Sequence, residues 1–174
     1  MNTNKRARLI TLIAGFLLVS LAFVAPVRAA GSSASGAGTY HIEPGIRTEF
    51  QFSETHVQCK IGHAVLPDGT VFQMLMFSTS IDSVTINSAA GTVLIMGEMT
   101  SIVNLRFTDG TTAHLTETVP FLVQAADNGT PGAGADFFSL TVQYIDTPDL
   151  DQFDLFGSPA TFAGILETGD VTVR

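Results

Sequence analysis

The chain has 174 residues, with 16 acidic and 8 basic side chains, one cysteine and no tryptophan. That is room for one modest domain, and an apolar fraction of 45% sets it apart from disordered chains. The single Cys59 excludes an intramolecular disulfide framework and a multi-cysteine zinc or iron–sulfur site. The acidic balance argues against nucleic acid or an anionic membrane surface as partner, because both need a basic face.

Lys5, Arg6 and Arg8 precede an uncharged apolar run from Leu9 to Ala25, followed by Pro26, Val27, Arg28 and Ala29. This is the pattern of a secretory signal peptide, with the small residues Val27 and Ala29 suited to the positions before a cut. The apolar run sits at the short edge of what spans a bilayer, so residues 1–29 are expected to be cleaved, leaving no stable membrane insertion. Removing 29 residues from 174 leaves 145, and the loss of Lys5, Arg6, Arg8 and Arg28 takes the charge from −8 to −12. The product is a secreted chain, bound for the periplasm, the medium or the cell surface. Ala30 to Gly38 is rich in glycine, serine and alanine without apolar periodicity, which predicts a flexible leader before a single domain over 39–174.

From Thr39 onward the apolar residues alternate. Thr39–Glu43 and Arg47–Ser53 flank Pro44-Gly45, with Phe50 and Phe52 on one face. His56–Leu66 places Val57, Cys59, Ile61, His63 and Val65 in one phase, and Pro67-Asp68-Gly69 predicts a turn. Val71–Phe77 is apolar on both faces, the mark of a central strand or of an interface for self-association. Ile81–Asn87 and Thr92–Met99 read as hairpin partners around Ala90-Gly91. Val103–Phe107 then leads through Thr108-Asp109-Gly110-Thr111 into a return strand, Ala113–Ala126, in which Pro120 should mark an edge or a bulge. Asp127–Ala135 reads as a loop, Asp136–Ile145 as a strand and Thr147–Phe156 as an acidic connection, with Ser158–Leu166 and Asp170–Val173 closing the fold. About ten short strands without a helical period predict an all-β domain, a single antiparallel β-sandwich or flattened β-barrel.

The run Asp127-Asn128-Gly129-Thr130-Pro131-Gly132-Ala133-Gly134-Ala135-Asp136-Phe137-Phe138-Ser139-Leu140 resembles the D-N-G-x-P-G-x-G-D-x-F-S loop and strand of small exported bacterial domains of the post-COAP type. Ala135 is one residue extra relative to that pattern. The likeness extends back to Ser78–Ile86 and forward to Gly164–Val173, which is similar to the family's terminal L-x-x-G-x-I-x-V strand. It implies an exported β-domain and carries no catalytic residue across.

Asp127 and Asp136 are the candidate metal ligands. They flank a glycine-rich loop able to present carbonyls, and calcium in extracellular modules takes six to eight such oxygens. The competing reading is a turn in which Asp127 and Asn128 accept backbone N–H groups. Asp146, Asp149, Asp151 and Asp154 miss the spacing of a calcium loop and read as solvated. Cys59 and His63 share a strand face near Met74 and Met76, a soft donor set that would suit Cu(I) but equally well an ordinary core. Glu117 is in phase with Leu115 and Val119, so strict alternation buries it as a ligand-pocket or acid group, while a bulge before Pro120 would turn it outward. The bulge is the expected outcome. His41, His56 and His114 have no spacing that links them to a nucleophile, and no G-x-S-x-G or Walker motif occurs. These features favour a non-catalytic exported module for surface interaction or structural support. The alternative is a carrier holding a small hydrophobic ligand among the phenylalanines and methionines of a barrel, and an enzyme ranks third.

Overall fold

The computed structural model describes residues 31–43, 46–66, 68–129, 135–143 and 159–174. The expected signal peptide, Pro44-Gly45, the tip of the glycine-rich loop and the expected acidic connection lie outside the described residues. Within them the chain is all β, with nine strands: β1 (Ala34–Glu43), β2 (Ile46–Ser53), β3 (His56–Val65), β4 (Val71–Asn87), β5 (Thr92–Arg106), β6 (Thr112–Ala126), β7 (Phe137–Val142), β8 (Ala160–Ile165) and β9 (Thr168–Val173). All lie in one antiparallel sheet of order β8-β7-β6-β5-β4-β3-β2-β1-β9, curled as a half-barrel.

The curl comes from the three long strands. β3 pairs with β4 only as far as Phe77, and β7 pairs with β6 only from Phe121 onward, whereas β5 pairs with both along its whole length. The sheet therefore has two wings joined through β4, β5 and β6. At the bend β4 shifts register between Ser78 and Ser80 and again between Ile81 and Ser83. Gly97 stands opposite Ile81, where a Cβ would collide with the Ser80 carbonyl oxygen. Bulges of this kind let a strand turn a corner from one layer to the next. Pro120 sits at the same bend. Its carbonyl accepts from Gln143 N on the β7 side, so its missing N–H falls on that side too and the β5 ladder loses nothing.

Folded over, the wings bury a common core. The Phe50 ring of β2 stacks on Phe138 of β7 at 4.0 Å with 14° between planes, and Phe52 and Tyr40 lie about them at 6.0 and 6.1 Å from Phe138. Tyr40 donates its hydroxyl hydrogen to the Phe162 carbonyl at 3.1 Å, tying β1 to β8.

Four sequence expectations change. Ala34–Gly38 belongs to β1 and not to a leader, because its small residues fit beneath rings: a Cβ on Gly36 would lie 2.6 Å from Phe52 Cε1, and one on Gly38 would meet the Thr168 carbonyl. Segments 71–77 and 81–87 are one strand through the bulges, as are 92–99 and 103–106, so nine strands replace about ten. A register shift between Ile61 and Ala64 reverses the phase of β3, burying Ala64 and leaving His63 exposed and Val65 67% exposed. The bulge expected before Pro120 is absent: β5 and β6 pair without a register shift, and Glu117 keeps the inward phase. Val71–Phe77 is the central strand anticipated, with Phe72, Met74 and Met76 buried and Val71, Leu75 and Phe77 half-buried on the outer face.

Candidate functional site

Among the described residues the best-developed polar constellation lies where the β6–β7 connection meets β9. β9 is an outer strand paired on one side with β1. On its other side, Val171 N donates to Asp136 Oδ2 at 2.8 Å and Val173 N to Asp127 Oδ2 at 3.1 Å. The second oxygen of each carboxylate also accepts: Asp136 Oδ1 from Asn128 N at 2.9 Å, and Asp127 Oδ1 from Gly129 N at 3.2 Å. Asn128 Nδ2 donates across the loop base to the Ala135 carbonyl. Asp127 N donates to the Gly91 carbonyl and the Asp136 carbonyl accepts from Leu166 N, so the β4–β5 turn and the β8–β9 connection join the same knot.

Asp127 and Asp136 are thus brought together at one place, as the sequence suggested, but through the backbone of β9. Each carboxylate makes charge-assisted bonds, which are shorter and stronger than neutral ones, and Asp136 is only 4% exposed. A cation at this point would compete with N–H donors for the same four oxygens. The sequence signals the Asx turn at Asp127, but nothing in it signals bonds to partners 35 and 46 residues away.

Cys59 and Glu117 lie on the inner face in a single transverse row, Glu117–Ser101–Met76–Cys59–Phe50, three strand spacings apart or about 14 Å. Ser101 and Met76 fill the distance between them. Glu117 is half-buried and its Oε2 atom is shut off from solvent. His63 is on the opposite face, in hydrogen-bond contact with Gln73. Across the outer surface from that pair, His114 Nδ1 lies 2.7 Å from Asn104 Oδ1, along a shallow groove of about 310 Å³. His63 and Cys59 do not converge. Among the described residues no three His, Cys, Asp or Glu side chains are grouped as a metal site.

Cys59 is fully buried against Tyr40. Burial pushes the thiol up to about 12 from 9.0, with the neighbouring Tyr40 hydroxyl opposing part of that rise. Burial first, and the neighbouring thiol second, also push the Tyr40 phenol above its ordinary range. Below about pH 8 both groups are neutral in folded and unfolded chains, so neither makes stability depend on pH there. Above pH 9 the unfolded chain releases a thiol proton that the folded chain keeps, and stability is expected to fall by about 1.4 kcal/mol per pH unit, with Tyr40 adding to the slope above pH 10. Urea unfolding at pH 8, 9 and 10 with wild type and Cys59→Ala measures this. The variant should lose the first part of the slope, and a slope that persists unchanged would assign it elsewhere.

Comparison of the chain with protein-family models, with curated proteins and with solved structures gives no match.

Proposed function

We propose that this chain is an exported, non-catalytic interaction module of the kind the post-COAP-like loop suggests, released by cleavage before Ala30 and acting outside the cytoplasm through its outer surfaces and strand edges. One observation carries the reading: the space between the wings is occupied by the stacked rings of Phe50 and Phe138 with Tyr40 and Phe52 around them. A β-domain used as a carrier keeps that space for its ligand. Here it is given to side chains, which leaves the exterior to meet other molecules. Among the described residues that exterior includes a groove of about 490 Å³ along β4 and another of about 310 Å³ near His114.

The test uses the full chain expressed with a C-terminal tag. The expected result is a processed form starting at Ala30 in the exported fraction, carrying no small apolar molecule in native mass spectrometry. Photo-cross-linkers at outward positions of that form should give a discrete adduct. An unprocessed chain retained in the cytoplasm would overturn the export reading. A copurifying apolar ligand would overturn the module reading in favour of a carrier.

A further inference from the structure

The edge of a β-sheet carries a row of backbone N–H and C=O groups open to pairing with another chain, and stable folds blunt it. Among the described residues four edge stretches stand out, and three of them are blunted. On the free side of β9 the N–H groups of Val171 and Val173 are capped by Asp136 and Asp127. β8 lies against β1, with Gly164 packed so closely under the Tyr40 ring that a Cβ would sit 2.5 Å from Cδ2. The stretch of β6 beyond the reach of β7, Thr112–Val119, turns Glu117 inward, and an inward-pointing charge resists the approach of a second strand.

The fourth is different. Among the described residues β4 has no strand partner on its outer side from Thr79 to Asn87, since β3 leaves it after Phe77. No proline or lysine interrupts the stretch. After the bulges, Ser83–Asn87 pairs with β5 in unbroken register, a regular template for one more strand. Burial also stops short at this edge. The inner-face rows Leu140–Val123–Ile95 and Phe138–Ala125–Val93 are buried through β7, β6 and β5, whereas Val84 and Ile86, which continue them in β4, are half-buried. A groove of about 490 Å³ runs along this edge from Ser78 to Ile86, with the Glu54-Thr55 turn as its other wall. Glu54 and Asp82 are the charged residues of its lining, and it includes no cation.

We propose that this groove takes an extended cationic segment of a partner protein, added beside Ser83–Asn87 as a further strand. Strand addition gains affinity from main-chain bonds and selectivity from alternate side chains. Inward residues of the added strand would cover Val84 and Ile86, while outward lysines or arginines would answer Asp82 and Glu54. A second copy of this chain fits less well, because it brings the same two acids and, once processed, a formal charge of −12 against an equal charge. The proposal rests on the interaction-module reading and names its partner class.

The experiment titrates the labelled, processed protein with a synthetic peptide alternating valine and lysine, followed by amide shifts and hydrogen exchange. Saturable shifts and gained protection at Ser83–Asn87 are expected, with about fivefold weaker binding in Asp82→Lys and no binding of a valine–glutamate peptide. Asp82→Asn, which keeps an acceptor for the Ser80 hydroxyl, should weaken binding less and guards against loss of fold. Absence of shifts at millimolar peptide, or shifts confined to other surfaces and unaffected by Asp82→Lys, would overturn the proposal. So would protection of the same amides that grows with protein concentration alone, which assigns the edge to a second copy. If the peptide fails while cross-linkers elsewhere still capture a discrete partner, this inference falls and the module reading stands. If both fail, both fall.

Discussion

Asp136→Ala is expected to lower the unfolding free energy by about 3–5 kcal/mol, because it removes two hydrogen bonds to a charged acceptor and leaves the buried N–H of Val171 unpaired. Bonds to charged groups are worth about 1.5–3 kcal/mol each, and an orphaned buried donor costs about as much as the bond it loses. Asp136→Asn keeps the shape and one acceptor oxygen, so about half of that loss is expected. Asp127→Ala should cost less than Asp136→Ala, since Asp127 is half-exposed and its bonds are 3.1 and 3.2 Å long. Denaturant unfolding gives the numbers, and it should be run both in chelator and in millimolar calcium. A clasp for backbone N–H groups loses the same stability in either. A loss seen only with calcium present would return these carboxylates to the role of metal ligands.

Phe138→Ala is expected to cost about 3–5 kcal/mol by the same measurement, the range for deleting a buried ring and leaving a cavity. Phe138 is wholly buried and is the residue through which β7 reaches Phe50, Phe52 and Tyr40 of the other wing. The adjacent Phe137 provides the control. It is half-buried on the other face of the same strand, and Phe137→Ala should cost clearly less. A double-mutant cycle with Phe50→Ala should show coupling of about 0.5–1.5 kcal/mol for the stacked pair. Equal losses at 137 and 138 would mean that β7 is not held in the phase described, since one residue of slip exchanges the faces.

Several of the turns were written plainly in the sequence. Asp109-Gly110 and Asp68-Gly69 each place a glycine at φ +86° and an aspartate that accepts the N–H two residues on. Alternation located β2, the first half of β3, and β6, because each has one buried and one solvated face. The misreadings share a cause. Ala34–Gly38 looks like a linker because its neighbours, not its own side chains, supply the apolar surface that covers it. His63 looks inward because a bulge at Gly62-His63 leaves no mark in an alternating pattern. Glu117 does obey the pattern, and the expectation that proline would disturb it failed because the ring nitrogen of Pro120 faces the side where β7 ends. At the candidate site, the pairing of Asp127 with Asp136 was visible as a loop motif, while their common use by β9 was not, since periodicity is local and these contacts are not.

The first and last strands of the described fold are neighbours: Ala34–Thr39 pairs with Thr168–Val173. Until β9 is available, β1 lacks a partner on that side and the two aspartates hold only the N–H groups of Asn128 and Gly129. That pairing closes a loop of more than a hundred residues, a long-range contact of the kind that is costly in chain entropy and slow to form. Were the proposed export to take the chain across a membrane unfolded, this closure would wait until β9 had passed through.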